Sequence, residues 1–570
     1  MNETVKIIFG LAGGLALFLY GMSSMSDALQ KTAGEKMKNI LGFLTKNPVM
    51  GALAGALVTA VLQSSSATTV MVIGFVSAGL MSLPQAISVI FGANIGTTMT
   101  AQLIAFQISD YIYPIIFIGF ILNFVAKKEK IKNIGLVIFS FGLLFEGIEI
   151  MGSVMKPLAN SPVFIDLMGK VADIPVLGVL LGTVMTMIVQ SSSATIAVLQ
   201  NFAAQAGPDG VTSIIGLAGA IPILLGNNIG TTITALLASV GQSKNAKRTA
   251  IAHTVFNLTG SVLFLFLIPL LTQFVTFISP TGIEVDVISR QIANAHTIFN
   301  VVCTLIWLPL IPVMVKIVKL LIPGQDSAGA AAFQPKFLDD GMIGQPAAAM
   351  YLVSQEMKRL MADAGSMLSA LKDTISGEVS STSRDTYLHL QQSIKKLHAS
   401  IARYITKLFS SGNLTARQSE QIAGFLYVSN NVDRIADRCE EISDSIEHIR
   451  STGRPLSEEA SGELNRGMRL LGKLYRDAMG SLQAGNLDVA QRVVKHKNKI
   501  RKIQKQLNKA HLARVNSGEC DAALTSDFSN ILYNLDRIAD NCVGIAEEAM
   551  DHVALISLPE PEPQELPKAN

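Results

Sequence analysis

The sequence predicts an all-α protein in two parts. The first is a polytopic membrane half built from two inverted repeats with broken or re-entrant helices; the second is a polar helical bundle. Three observations lead there. Mean hydropathy is +0.41 with only 16% charged residues; the chain to Pro323 is sparsely charged, and the remainder is rich in Lys, Arg, Glu and Asp. A polar segment, QSSSAT, occurs twice inside the apolar half. The polar half places apolar residues at helical spacing over six long stretches.

Taken in order, the apolar run from Ile7 to Tyr20 continues into Gly21 and Met22 without a small-residue cleavage site. It therefore reads as a retained transmembrane helix rather than a signal peptide. Segments long enough to cross or enter a hydrocarbon core of ~30 Å run over 5–29, 48–80, 84–106, 111–126, 134–155, 175–203, 214–240, 250–277 and 292–321. Basic residues cluster between them at 31–46, 127–132, 244–248 and 316–319. The positive-inside rule assigns those loops, and the polar half with them, to the cytoplasm of a cell's inner (plasma) membrane. The division is a membrane domain at 1–322 (repeat one about 5–126, repeat two about 133–242, further helices 250–322), a Pro/Gly/Ala-rich linker at 323–346, a helical domain at 347–557 and a disordered Pro/Glu-rich tail at 558–570.

The repeat emerges when Gln63–Thr68 is laid on Gln190–Thr195, an offset of 127, which Pro48 and Pro175 share. FLYGMSSM from Phe18 answers LFEGIEIM from Leu144. Downstream, GANIGTTMTAQL from Gly92 answers GNNIGTTITALL from Gly226, the offset growing to 134 through an insertion near Gly207–Gly210. The loop after the first helix of unit one holds Lys31, Lys36, Lys38 and Lys46, whereas its counterpart in unit two holds only Lys156 and Lys170. The units accordingly face opposite ways, an architecture that places substrate near the midplane. A shorter repetition, HTVFN at His253 and HTIFN at His296, lies in the last two membrane segments and suits interhelical hydrogen bonding or titration near neutral pH.

Chemistry follows from what these polar segments are doing in an apolar setting. Gln followed by three serines is a poor lipid-facing surface, and two copies at equivalent positions suit half-helix N-termini aimed into an enclosed cavity. Helix-start N–H groups and Ser hydroxyls favour an oxyanion, which makes Gln63, Ser64, Ser65, Ser66, Gln190, Ser191, Ser192 and Ser193 the candidate anion site. Hard oxygen ligands for sodium come from carbonyls and from Gln63, Gln190, Thr68, Asn94, Thr97, Thr98, Thr195, Asn228, Thr231 and Thr232. GANIGTT and GNNIGTT, with a flexible Gly before an amide and two threonines, look suited to breaking a helix around an ion. Glu146 and Glu149 are ionisable residues inside an apolar segment, costly there, and indicate an ion path, a buried pair or placement near the helix end.

Several classes are set aside. A net charge of +3 gives no nucleic-acid footprint. Cys303, Cys439, Cys520 and Cys542 have neither disulfide-framework nor zinc spacing. The membrane half holds no nucleophile elbow, phosphate loop or catalytic metal constellation, so neither an enzyme nor a cofactor is expected.

QSSSATT, GANIGTT, QSSSATI and NNIGTT in this order resemble the bacterial branch of the type II sodium/phosphate cotransporter family, over about 5–322. The resemblance implies sodium-driven phosphate symport, with the paired QSSS segments as substrate site, nearby Thr and Asn at sodium sites, and sodium as co-substrate. A phosphate exporter, a carrier of another oxyanion, or a membrane-anchored signalling protein would use the same residues. In the polar half, NNVDRIADRCEEI from Asn430 and YNLDRIADNCVGI from Tyr533 repeat at an offset of 103. They resemble the two three-helix units of PhoU-like phosphate-regulatory proteins. That resemblance implies a metal site at Asp433, Asp437, Asp536 and Asp540; the alternative is ion pairing with Arg434, Arg438 and Arg537. The expected partners are phosphate, sodium, the bilayer, and a phosphate-regulatory protein or a second copy through the bundle.

Overall fold

The computed structural model describes residues 3–43, 47–106, 108–159, 166, 169–171, 173–207, 209–324, 335–375, 381–412, 414–453 and 456–556; the expected tail at 558–570 lies outside them, as does much of the linker. Among these residues the elements are helices, and no strand forms. The chain separates into two compact units, one holding Met1–Asp326 and the other Ser327–Ser557.

In the first unit, repeat one is α1 (Glu3–Phe43), α2 (Pro48–Leu62), α3 (Ser65–Ser77), α4 (Leu83–Ile104) and α5 (Ile112–Val125). Repeat two is α6 (Glu129–Ala159), α7 (Pro175–Val189), α8 (Ser192–Ala203), α9 (Gly216–Gly230) and α10 (Thr232–Ala238). Then come α11 (Lys244–Phe266), α12 (Ile268–Ile278), α13 (Glu284–Trp307) and α14 (Ile311–Leu321). Spans long and apolar enough to cross a bilayer lie in α1, α4, α6, α9 with α10, and α11; α13 and α14, bent by 87° at their junction, add a sixth if taken together.

Glycines set how these helices pack. A Cβ on Gly92 would overlap the Ala52 carbonyl, and one on Gly96 would sit 2.6 Å from the carbonyl oxygen of Ala56. Further along, Thr100 bonds Gln63. Contacts thus advance together along both chains, so α2 and α4 run parallel. Intervening α3 must return the chain to the side it came from, which makes α2–α3 a re-entrant hairpin. Repeat two does the same, with Gly226 against Val179 and Gly230 against Thr183.

The inversion is visible where α1 meets α6. Gly10 lies on Val154, Gly14 on Met151 and Gly21 on Leu144, so the two helices are antiparallel. Phe18 and Gly21 align with Leu144 and Gly147 in the repeat. Gly21 touches Leu144, and Gly147 touches Phe18. Equivalent residues exchange partners in this way only across a two-fold relating the repeats.

The segments at 48–80 and 175–203 are each two helices broken at the glutamine, as the broken or re-entrant reading expects. Two other sequence expectations change. The segments at 250–277 and 292–321 break at Leu267 and after Trp307. GANIGTT does not break its helix, since α4 is continuous through it; in repeat two only a one-residue interruption at Thr231 separates α9 from α10. The glycines there serve close approach of α2 and α7, and an intact helix satisfies its own backbone where lipid cannot.

The second unit contains α15 (Pro346–Ile375), α16 (Ser381–Ser410), α17 (Ala416–Ser451), α18 (Glu458–Ala484), α19 (Leu487–Asn516) and α20 (Thr525–Met550). They form two three-helix groups, α15–α17 and α18–α20, packed chiefly through α17 against α20, the helices that carry the DRIAD repeats.

Candidate functional site

Among the described residues only three non-glycines have positive φ, and two are Gln63 (51°) and Gln190 (53°). Left-handed backbone costs a non-glycine ~1–2 kcal/mol. Glycine would carry no such cost, so the glutamine contributes something through its side chain. The turn ends one helix and starts another within two residues. Ser64 and Ser191, both extended, cap the new helices: their hydroxyl oxygens accept from the N–H of Ala67 at 3.1 Å and of Ala194 at 3.2 Å.

The first N–H groups of α3, on Ser65 and Ser66, and of α8, on Ser192 and Ser193, have no carbonyl one turn back to bond. Unpaired helix-start N–H groups and the positive end of a helix dipole favour an anion. The hydroxyls of these four serines bond no other described residue; Ser65 and Ser193 are buried, Ser66 and Ser192 half-buried. Each new helix also leans on the other repeat, α3 on α10 and α8 on α4, where Gln200 Nε2 of α8 donates to the Ala101 carbonyl at 3.2 Å.

Around these turns the predicted sodium ligands fall into two groups. The threonines donate their protons to nearby carbonyls, Thr97 to Ala93, Thr98 to Ile95, Thr231 to Asn227, Thr232 to Ile229, Thr68 to Ser64 and Thr195 to Ser191. A hydroxyl that donates still has lone pairs with which to accept, and Thr68 uses one for Thr59 at 2.8 Å. The two asparagines are engaged differently. Asn94 Oδ1 lies 3.2 Å from His253 Nε2, and Asn228 Oδ1 lies 3.0 Å from His296 Nε2. Each HTxFN helix therefore docks its histidine on the asparagine of one GxNIG helix, α11 on α4 and α13 on α9. An amide oxygen only accepts, so Nε2 carries the proton in both. The asparagine of the motif, Asn257 or Asn300, donates to the carbonyl of its own histidine at 3.1 and 2.9 Å.

The repeats are not in the same state. Gln63 is buried, and its Oε1 accepts from Thr100 at 2.9 Å. Gln190 is exposed, and Thr234, the counterpart of Thr100, does not bond it. Ser26 of α1 donates to the Leu62 carbonyl at 2.6 Å, tying α1 to the tip of the first hairpin; its aligned position on α6 is Gly152. Thr100 was not singled out from the sequence, nor were Thr59 and Thr186, though both pairs, Thr100/Thr234 and Thr59/Thr186, keep the repeat offsets. Glu149 accepts from Ser109 at 3.0 Å, and one carboxylate oxygen of Glu146 is buried without a partner.

In the second unit, Asp433 and Asp536 each hold one buried carboxylate oxygen without a hydrogen-bond partner. Burial raises the Asp433 carboxyl pKa; His398 opposes that rise and Asp437 adds to it. Asp437 and Glu440 both lie 3.5 Å from Lys395, and Asp540 pairs with Lys497 at 2.5 Å and Arg537 at 3.2 Å. Arg438 pairs with Glu441 instead. Among the described residues no three His, Cys, Asp or Glu side chains converge as a metal requires. A cation on these carboxylates would need Lys395 and Lys497 to turn away.

Comparison with known proteins finds two matches in each unit. Residues 17–153 and 154–282 each match the Na+/Pi-cotransporter family, and 357–446 and 464–549 each match the PhoU domain. The uncharacterised protein YqeW of Bacillus subtilis is 35% identical over 274 residues, 48% of this chain and 87% of its own length. The "Putative inorganic phosphate export protein YjbB" of Salmonella typhimurium is 24% identical over 554 residues, 95% of this chain and 97% of its own. "Sodium-dependent phosphate transport protein 2A" of Rattus norvegicus is 38% identical over 99 residues, 17% of this chain and 15% of its own.

Proposed function

This chain belongs to the Na+/Pi-cotransporter family and carries a C-terminal PhoU domain, and on that footing we propose that it moves inorganic phosphate together with sodium by alternating access. The observation that supports this most is the pair of strained Gln-Ser-Ser-Ser turns at equivalent positions of an inverted repeat, each presenting unpaired N–H groups and serine hydroxyls at a helix start. Such donors match the oxygens of a tetrahedral oxyanion without any lysine or arginine, so release stays easy. Sodium at the threonine oxygens would offset the anion's charge and tie the two affinities together.

The unequal glutamines fit one half of a transport cycle. With Gln63 latched to Thr100 and Gln190 free, the half-site of repeat two is the accessible one; exchanging the roles of the repeats would latch Gln190 to Thr234 and free Gln63. A neutral hydrogen bond is worth ~1 kcal/mol, about fivefold in an equilibrium. Thr100→Val should therefore slow thiol labelling of a Gln190→Cys variant about fivefold, while Thr234→Val leaves it unchanged or faster. Equal labelling in both backgrounds would remove the latch from the mechanism.

A second reading concerns direction. Similarity along nearly the whole chain to a protein named for phosphate export favours outward flux under cellular gradients, through the same site. Labelled phosphate flux into and out of proteoliposomes under inward, outward and no sodium gradient separates the cases. Accumulation that follows the sodium gradient supports symport. Flux indifferent to sodium eliminates it and leaves the signalling reading if phosphate still binds. We place the protein in the bacterial inner (plasma) membrane with its basic loops and PhoU domain in the cytoplasm, the latter sensing phosphate through a regulatory protein or a second copy.

A further inference from the structure

Helix α19 carries nine basic residues and one acidic one, Asp488, in a chain whose total charge is only +3; without this helix the chain is net acidic. Lys497 and Arg514 are neutralised, by Asp540 at 2.5 Å and Glu463 at 3.0 Å. Arg492, Lys495, Lys499, Lys502, Lys505 and Lys509 are exposed and have no ion pair among the described residues, and Arg501 is a seventh. At about 100° per residue these seven occupy one half of the helix surface. Ala490, Val493, Leu507 and His511 occupy the other half, buried against α18 and α20. Leu487 and Leu512, exposed at the two ends, fall on the basic side. The pseudo-equivalent helix α16 is different, because its Lys395 and Lys407 are paired with Asp437, Glu440 and Asp340.

We propose that this face of α19 docks on an anionic bilayer surface. Charge complementarity carries the choice of occupant. From Arg492 to Lys509 the stripe extends about 26 Å along one side of a single helix, which suits a sheet of headgroups better than a compact anion. Five of the seven side chains are lysines, flexible point charges matched to a diffuse field rather than to two-pronged recognition of one ligand. An exposed leucine at each end supplies the apolar contact a surface-lying helix uses. The chain itself supplies nearby bilayer through its apolar helices.

The test uses the full-length protein in lipid nanodiscs, with lysine acylation rates read by mass spectrometry. In discs of phosphatidylcholine with about one-quarter phosphatidylglycerol, acylation of Lys495, Lys499, Lys502 and Lys509 should slow about fivefold relative to pure phosphatidylcholine, since each basic residue near such a surface contributes on the order of 1 kcal/mol. Roughly 0.5 M NaCl should erase the difference, and exposed Lys473 of α18 should not change. The paired substitution Lys495→Glu with Lys502→Glu should abolish the protection of Lys499 and Lys509 while the protein keeps its melting temperature. Equal rates in both lipids would overturn the proposal. So would protection by soluble polyphosphate or polyglutamate without any response to phosphatidylglycerol, which would make the partner an acidic polymer.

Discussion

Ser65→Ala should reduce sodium-driven phosphate uptake to background while the protein still reaches the membrane at its normal level, and Ser192→Ala should do the same from the other repeat. Neither hydroxyl supports the fold: each bonds no other described residue and stands one position past the residue that caps its helix. What each loses is a donor to a charged ligand, worth ~1.5–3 kcal/mol, or about 10- to 150-fold in affinity. Ser64→Ala is the contrast. Its hydroxyl holds the Ala67 N–H, and removing an N-cap costs ~1 kcal/mol of stability, so that variant should lower abundance or melting temperature along with transport. If both half-sites hold one anion, the double variant Ser65→Ala with Ser192→Ala should not lose the sum of the single effects. Uptake by Ser65→Ala within twofold of the unmodified protein would refute the assignment.

Gly92→Ala should cost most of the folded protein. Its new methyl would overlap the Ala52 carbonyl, a backbone atom of the hairpin that cannot swing aside. Overpacking against side chains costs ~1–3 kcal/mol, and here the obstacle is backbone on both sides. Gly226→Ala, against Val179, should behave alike, whereas Gly13→Ala, with open space around it, should leave the melting temperature unchanged. Fluorescence-detected gel filtration after heating reads all three. A Gly92→Ala protein as heat-stable as the parent would mean that α2 and α4 do not pack in parallel at this distance.

Much of this was legible because the chain contains itself twice. The breaks at Gln63 and Gln190, the inversion and the six helices of the polar half all followed from repetition, charge placement and periodicity. What misled was GANIGTT. Its glycines and threonines suggest a broken helix, but in α4 the threonine hydroxyls fold back onto the preceding turn and the glycines admit α2. Composition alone does not distinguish a glycine that bends a helix from one that lets another helix in. The docking of His253 on Asn94 and His296 on Asn228 needed tertiary structure to select among the roles open to a membrane histidine. The bond between Gln63 and Thr100 was hidden for another reason: the two repeats read alike, and only the folded chain shows Gln63 bonded and Gln190 exposed.

Phosphate binding by the purified protein, with and without sodium, tests the central claim most directly. If the paired turns form one sodium-coupled site, the unmodified chain binds phosphate more tightly when sodium is present, and Ser65→Ala and Ser192→Ala each weaken that binding about tenfold or more. Undiminished, sodium-enhanced phosphate binding in either variant would contradict the account.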